Sequence, residues 1–435
     1  MERILHWLIR HWAFSATALL LACGALGYSL AAPAPPREIR IATGTAPDSA
    51  YTLAAEAYAQ RLQATGFRVR RLATQGSVDN LALLRAREVD VALVQGGIAD
   101  PVRDQGLESL GAVFAEPVWA FLRGESGARR LADLRGRRVA IGPQGSGTRV
   151  LALAMLAAND IGANDIDALP LAGAAAAEAL AAGGADAAIL VSARATGSIA
   201  TLLGAGPALH LLDFADHADA YGVQLPFLSA VRLPRGGLSL AADVPDRPYT
   251  LLAPVASVVA HEDIHPQVVS LLVGIMQEVH RPRTLFAAEG AFPNALAQDL
   301  PMNADAERYF ARGRTVLQRW LPFWVAVWVE RLVFVLLPVL GLALPLIRFG
   351  PALYAWQMET RVWRHYETLR RIEAEAERGP EARAALQERL EALDGRVARL
   401  ALPVTYRRHV FALRRDIAYV RAQLAPESVP RIEDA

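Results

Sequence analysis

Three short stretches of this chain combine glycine with hydroxyl side chains just ahead of a helical pattern. They are Thr43-Gly44-Thr45-Ala46-Pro47-Asp48-Ser49-Ala50-Tyr51, Thr74-Gln75-Gly76-Ser77-Val78-Asp79-Asn80, and Gly142-Pro143-Gln144-Gly145-Ser146-Gly147-Thr148. A helix start exposes unpaired N–H groups and a partial positive charge, so it attracts an anion. Glycine lets a ligand approach the backbone closely, and Ser or Thr adds a hydroxyl while capping the helix. The third stretch lacks the lysine that a phosphate-binding loop uses on the β- and γ-phosphates, which disfavours nucleotide hydrolysis. His261-Glu262-Asp263-Ile264-His265 has zinc-protease spacing, but Pro266 follows at once. The residue before a proline avoids helical geometry, and proline suits the first turn of a new helix, so the two histidines are expected in a loop. With no Ser/His/Asp or Cys/His set standing out, the expectation is a binding protein without catalytic residues, metal or cofactor.

These loops need a frame, and the pattern between residues 37 and 314 supplies one. Strands are expected at Glu38–Thr43, Phe67–Leu72 and Val89–Val94, alternating with helices at Ala50–Gln63 and Val78–Arg87. Such alternation implies a parallel sheet with helices on both faces. A second unit follows, with strands at Arg138–Ile141, Ala185–Val191 and Leu209–Phe214 and helices at Thr148–Ala158 and Gly173–Gly184. An extended segment, Val118–Arg123, joins the two. The reading is therefore α/β and two-lobed, with lobe I at about 37–117 and 225–314 and lobe II at about 118–224. A late strand, Tyr249–Ala260, and a late helix, Pro266–His280, return to lobe I. Loops at the carboxyl ends of strands in two lobes would converge on a shared cleft.

Composition places part of the chain in lipid. Of 435 residues 53% are hydrophobic, and the mean hydropathy is +0.22. A net charge of +1 offers no overall field for nucleic acid. Arginine carries all the non-histidine positive charge, for there is no lysine. The single cysteine, Cys23, excludes an intramolecular disulfide and cysteine-rich zinc sites. Residues 1–36 read as an N-terminal anchor or signal: His11 to Pro36 holds no Asp, Glu or Arg, and the apolar part, Ala13–Ala32, has spanning length. Ser29, Ala31 and Ala32 are small enough for cleavage, and Leu21-Ala22-Cys23 faintly resembles a lipoprotein box, so anchor, cleaved signal and lipoprotein stay open.

A second apolar segment, Trp320–Ile347 within residues 315–350, is interrupted at Glu330 and Arg331. Trp320, Trp324 and Trp328 suit headgroup level, followed by a span from Leu332. Loop charges on the two sides nearly tie, so the export-like N-terminus decides the orientation: termini in the cytoplasm, residues 37–314 in the periplasm of a bacterium. Residues 351–435 are expected as a helical hairpin, with apolar seams Leu386, Leu390, Leu393, Val397 and Tyr406, Val410, Leu413, Ile417. Those seams could pair between copies of the chain.

Ile39-Arg40-Ile41-Ala42-Thr43-Gly44, Thr74 to Leu81, Val89 to Gln95 and Ile141 to Thr148 together resemble the TAXI-type solute receptors of tripartite ATP-independent periplasmic (TRAP) transporters. Asp299 to Tyr309 resembles that family's C-terminal end, and the tail is similar to a membrane-tethered subset. The resemblance implies a type II periplasmic-binding-protein fold. It implies a small carboxylate ligand, such as glutamate or 2-oxoglutarate, delivered to a separate permease. By that likeness Thr43, Gly44, Tyr51, Ser77, Asn80, Gln95, Ser146, Gly147 and Thr148 would line the cleft. Two departures concern the ligand. Asp48-Ser49-Ala50 stands where more glycine is usual, and Ser192-Ala193-Arg194 replaces a Gly/Pro loop, putting Arg194 where it could pair with a carboxylate. A ligand sensor or scaffold, signalling to the tail without transport, is the alternative.

Overall fold

The computed structural model describes residues 12–30, 34–296, 299–314, 320–377 and 383–424. These described residues form two compact units, one from those between 34 and 327 and one from those before 34 and after 327.

In the first unit, β1 (Glu38–Gly44) runs parallel to β2 (Arg68–Thr74) and to β3 (Val91–Gln95). The helices α2 (Ala50–Ala64) and α3 (Ser77–Arg85) make the crossovers. β4 (Leu107–Ala115) and β12 (Val255–His261) complete a five-stranded sheet of order β2-β1-β3-β12-β4, with β12 antiparallel to both neighbours. Ile39, Ile41, Tyr58, Leu62, Val258 and Leu272 fill one face, and Leu81, Leu84, Val94 and Leu300 fill the other. Sheet strands covered on both faces read as nearly continuous apolar runs, as Val91–Gln95 does.

The second sheet has the order β7-β6-β8-β5-β9. Its strands are β5 (Val118–Arg123), β6 (Arg138–Ala140), β7 (Asp167–Leu169), β8 (Ala187–Val191) and β9 (Leu209–Leu211). Around it lie α4 (Gly147–Ala157), the alanine-rich α5 (Gly173–Ala181), α6 (Gly197–Leu203) and α7 (Ala218–Gln224). A hairpin of β10 (Ser229–Leu233) and β11 (Tyr249–Ala253) buries Leu233, Leu251 and Leu252 against this lobe. The chain therefore crosses back to the first sheet at Pro254, later than Leu225.

The stretch expected as one strand, Tyr249–Ala260, is two strands in different sheets. Pro254 has no N–H and breaks the ladder where the chain changes lobe. The outward crossing, Ala115-Glu116-Pro117, lies beside it, with Glu116 N donating to Pro254 O at 2.9 Å. α8 (Pro266–His280) and α9 (Ala304–Arg312) close the first lobe. His265 caps α8, its Nδ1 accepting from Gln267 N at 3.1 Å, so the histidine pair straddles a turn rather than sharing a helical face.

Trp324 does not face outward as an interfacial anchor. Its Nε1 donates to Thr65 O at 2.9 Å and its ring lies 5.2 Å from Phe67, while Trp320 and Trp328 are exposed.

In the second unit, α1 spans Trp12–Leu30, and its flanks 1–11 and 31–33 lie outside the described residues. Among the described residues one helix, α10 (Phe323–Ala376), is long and apolar enough to cross a membrane; the apolar stretch Thr17–Leu26 is shorter. Two spans were expected from the sequence, and α10 is the one that meets the length. It continues through Pro338, Pro345 and Pro351 without a break. The tail is more than a hairpin. α11 (Arg383–Ala398) and α12 (Arg407–Leu424) share a core of Leu386, Leu390, Leu393, Leu413 and Ile417 with Val362, Leu369 and Ile372 of α10.

Candidate functional site

Three of the glycine- and hydroxyl-rich loops meet where the chain changes lobe. Ser49 caps α2, accepting from Thr52 N at 3.1 Å, and Ser146 caps α4, accepting from Arg149 N at 3.3 Å. Gly76 precedes α3 at φ 138°, a conformation open to glycine. The cavity they enclose is about 230 Å³ and is lined from both lobes. That is below the roughly 300–1,000 Å³ typical of drug-sized ligands, so it suits a small metabolite.

Ala50, Tyr51, Ser77, Gly147 and Thr148 belong to this lining, and none of their first-turn amides has a protein acceptor among the described residues. They are the donors an anion would use.

One side of the cavity is a buried hydrogen-bonded chain. Gln95 N donates to Ser77 Oγ at 3.0 Å, and Ser77 Oγ lies 2.9 Å from the Tyr51 hydroxyl. Tyr51 donates to Glu116 Oε2 at 3.0 Å. Glu116 is 5% exposed, and its other oxygen has no protein partner among the described residues. Burial pushes this carboxyl up to about 8, against the smaller opposing effect of the Tyr51 bond. The Tyr51 hydroxyl is raised too, by burial first and by the Glu116 charge second. Besides Glu116 the lining holds one other acidic side chain, the exposed Asp48, and no arginine or histidine.

The two lobes touch through their glycines. Asp79 N donates to Gly145 O across the cleft at 3.3 Å, and Gln95 Nε2 to Gly147 O at 3.4 Å. A Cβ on Gly147 would stand 2.7 Å from Gln95 Oε1, and one on Gly76 would stand 3.3 Å from Ser146 Cα. Small residues here let the halves approach.

Of the residues singled out from sequence, Gly44, Tyr51, Ser77, Gln95, Ser146, Gly147 and Thr148 are brought together. Thr43 and Asn80 sit beneath the cavity rather than in it. Thr74 Oγ1 reaches Thr43 O at 2.7 Å and Asn80 Oδ1 at 2.6 Å, while Asn80 Nδ2 donates to Leu93 O at 2.8 Å. They fix the loops that line the site. Arg194 lines a different cavity, because Ser192-Ala193-Arg194 turns away after β8.

Sequence reasoning missed Glu116, the one buried acid of the cleft. Its signal was a lone charge inside the apolar run Gly111 to Leu122, directly before Pro117.

Comparison with known proteins fits this architecture. Residues 41–294, more than half of the chain, match the NMT1-like family. The chain belongs to that family. Its fold is a mixed α/β, two-sheet one of the periplasmic-binding-protein kind. Among curated proteins there is no match to the sequence.

Solved structures resemble the family member distantly. The alkanesulfonate-binding protein SsuA from Xanthomonas axonopodis pv. citri bound to MOPS is 16% identical over 57% of this chain and 74% of its own, with a TM-score of 0.35. The periplasmic aliphatic sulphonate binding protein SsuA of Escherichia coli is 16% identical over 56% and 72%, with a TM-score of 0.35. A protein of Bordetella bronchiseptica RB50 is 16% identical over 64% and 82%, with a TM-score of 0.41.

Proposed function

We propose that this NMT1-like protein is a membrane-anchored receptor of the TAXI type, which captures a small carboxylate in the periplasm and hands it to a separate TRAP permease. The observation that carries the reading is the set of free first-turn amides from α2, α3 and α4 around one small interlobe cavity. The permease is a separate chain in this reading, because one or two helices cannot build a transport path. α10, and α1 with it, would hold the receptor at the bacterial inner membrane, with the tail in the cytoplasm.

Within the acids that the resemblance implies, the cleft favours one that also carries an N–H donor. The ligand's carboxylate would rest on the amides of Gly147 and Thr148, and its ammonium on the free oxygen of Glu116. A glutamate-like amino acid satisfies both ends. A bound ammonium would draw the raised Glu116 carboxyl into its charged form. A dianion such as 2-oxoglutarate would meet it only in its protonated form, with no arginine in the lining to offset the second charge. No residue is assigned a catalytic role.

The test is a thermal-shift screen of the full-length protein in lipid nanodiscs against amino acids and keto acids. A ligand at about 100 times its Kd stabilises the folded state by about 2.7 kcal/mol. Glutamate-like acids are expected to raise the melting temperature. If no acid does, the receptor reading fails.

A second reading, a sensor or scaffold, has one observation in its favour. α10 runs unbroken from Phe323 to Ala376 and ends inside the tail core. Ligand-dependent protease protection of the tail in the absence of any permease would support it over transport.

A further inference from the structure

A second cavity of about 480 Å³ lies beside the cleft. Leu53 and Ala54 of α2, Phe114 of β4, and Leu285, Phe286 and Phe292 form much of its wall. The last three belong to a strap, residues 281–293, that leaves α8 in the first lobe. The strap docks on the second, where Phe286 meets Trp119 edge-on with ring centroids 5.7 Å apart. A pocket of this volume has the size of a small-ligand site.

Its polar groups are few. His280 Nε2 lies 2.7 Å from the hydroxyl of Tyr58, a residue only 1% exposed, and burial pushes the imidazole down to about 4, so it is uncharged near neutral pH. The amide of Thr284 is taken by Ala287 O at 3.0 Å. Arg194, contributed by the second lobe, is exposed. Its guanidinium has no hydrogen bond or ion pair among the described residues. One uncommitted cation at the edge of an otherwise apolar chamber selects a molecule with one anionic end and an apolar body.

We propose that this cavity is a second ligand site, for a monocarboxylate with an aromatic or medium-length aliphatic body, whose carboxylate pairs with Arg194. The site does not depend on what the cleft binds. It does share walls with the cleft: Ala50 lines both, and the loop from Ser192 to Thr196 faces the cleft at its ends and this cavity at its middle. An occupant would contact α2, the strap and the second lobe together.

The experiment uses the full-length protein in lipid nanodiscs, with phenylacetate and octanoate as probes, phenethylamine as the cationic control and empty discs as the blank. Saturation-transfer NMR and calorimetry give the affinities. At least one acid is expected to bind saturably and at least ten-fold more tightly than the amine. Arg194→Glu, a surface change that leaves the fold in place, is expected to weaken the acid by ten-fold or more, and Ala193→Trp to block it by filling the chamber. Ser146→Trp, which closes the cleft, is expected to leave it unchanged. Circular dichroism and melting curves check that each variant is folded. Absence of saturable acid binding above empty discs overturns the proposal. So does equal binding of the amine, or an affinity indifferent to both R194E and A193W. Loss of acid binding in S146W assigns the acid to the cleft and also overturns it.

Discussion

The two walls of the cleft are built by different means. The first lobe presents side chains: Gln95, Ser77, Tyr51 and Glu116 are each at most 8% exposed and are joined in one hydrogen-bonded chain. The second lobe presents no charged side chain: Pro143, Ser146 to Thr148, Ala172, Gly173 and Ser192 offer backbone and small groups, and Leu190, Val191 and Ile199 add apolar surface. A buried polar network holds its geometry before any ligand arrives, since each member is costly to leave unpaired. Helix-start amides come from both walls, and on the second they stand without such a network, adding charge attraction but little shape of their own. The difference teaches a division of labour. The first lobe sets which ligand fits, and the second closes on it. Damage to the first lobe should therefore alter stability and pH response, whereas damage to the second should alter affinity more than stability.

The largest expected effect belongs to Glu116. Its folded carboxyl, at about 8, holds a proton that the unfolded chain, near 4.5, has released. The folded state thus binds more protons across that window, and stability falls as pH rises from about 4.5 to about 8. The full shift corresponds to an upper bound of roughly 4–5 kcal/mol. Glu116→Gln keeps the shape and removes the titration. Its melting temperature should match the wild type near pH 4 and exceed it at pH 8.5, read by calorimetry across that range. Identical slopes for both proteins would mean that the carboxyl is charged and stabilised inside the fold, and the first wall would lose its pH-sensing member.

Next comes Ser146→Trp on the opposite wall. Ser146 Cα lies 3.3 Å from where a Cβ on Gly76 would stand, so an indole at 146 has only the cleft itself to fill. Loss of the cap bond to Arg149 N costs about 1 kcal/mol of stability. Ligand affinity should fall by a factor of about 100 or more, equivalent to about 2.7 kcal/mol. A large drop in melting temperature with affinity retained would invert the division between the walls.

Much of this was legible in sequence. Ser49 and Ser146 announce helix starts because a hydroxyl before an apolar-periodic run satisfies orphan amides, and α2 and α4 begin within a residue of expectation. Val91–Gln95 reads as a buried strand from its apolar run. What could not be read depends on the chain's return path. Glu116 enters the cleft because Pro117 and Pro254 redirect two crossing segments side by side, a contact across 138 positions that no local pattern reveals. Arg194 reads as a partner for a carboxylate, but the turn after β8 carries it to another cavity. β4 escaped notice because Leu107–Ala115 mixes Glu108, Ser109 and Gly111 into its apolar positions. Trp324 resembles an interfacial anchor until Thr65 and Phe67 are found beside it.

Tyr51→Phe probes the network itself. The ring keeps its contact with Phe114, 6.2 Å between centroids, while the hydroxyl that joins Ser77 to Glu116 is lost. Stripping one partner from a buried bond costs about 1–3 kcal/mol. Because that bond holds the Glu116 carboxyl down against burial, its removal should also move the pH midpoint of the stability curve upward. Melting curves taken at several pH values separate the two outcomes. A uniform loss of stability with an unmoved midpoint would detach Tyr51 from Glu116 in energetic terms, whatever the 3.0 Å geometry suggests.

The smallest effect, and the most discriminating, is expected for Gly147→Ala. Gly147 opens α4, where alanine is a better helix former by up to about 1 kcal/mol, so the unliganded protein should be as stable as wild type or slightly more so. The added methyl would lie 2.7 Å from Gln95 Oε1 and 3.2 Å from Ser77 Oγ, against a first-lobe wall whose network resists displacement. The lobes must then stay apart by a few tenths of an ångström, which lengthens the bond from Gln95 to Gly147 O, already 3.4 Å, and moves the Gly147 and Thr148 amides off the ligand. Affinity is expected to weaken about ten-fold, or about 1.4 kcal/mol, through faster release rather than slower capture. Stopped-flow measurement of both rates checks this. A slower on-rate with unchanged release would mean that the ligand meets an already closed cleft, so that closure belongs to the entry path and not to the grip.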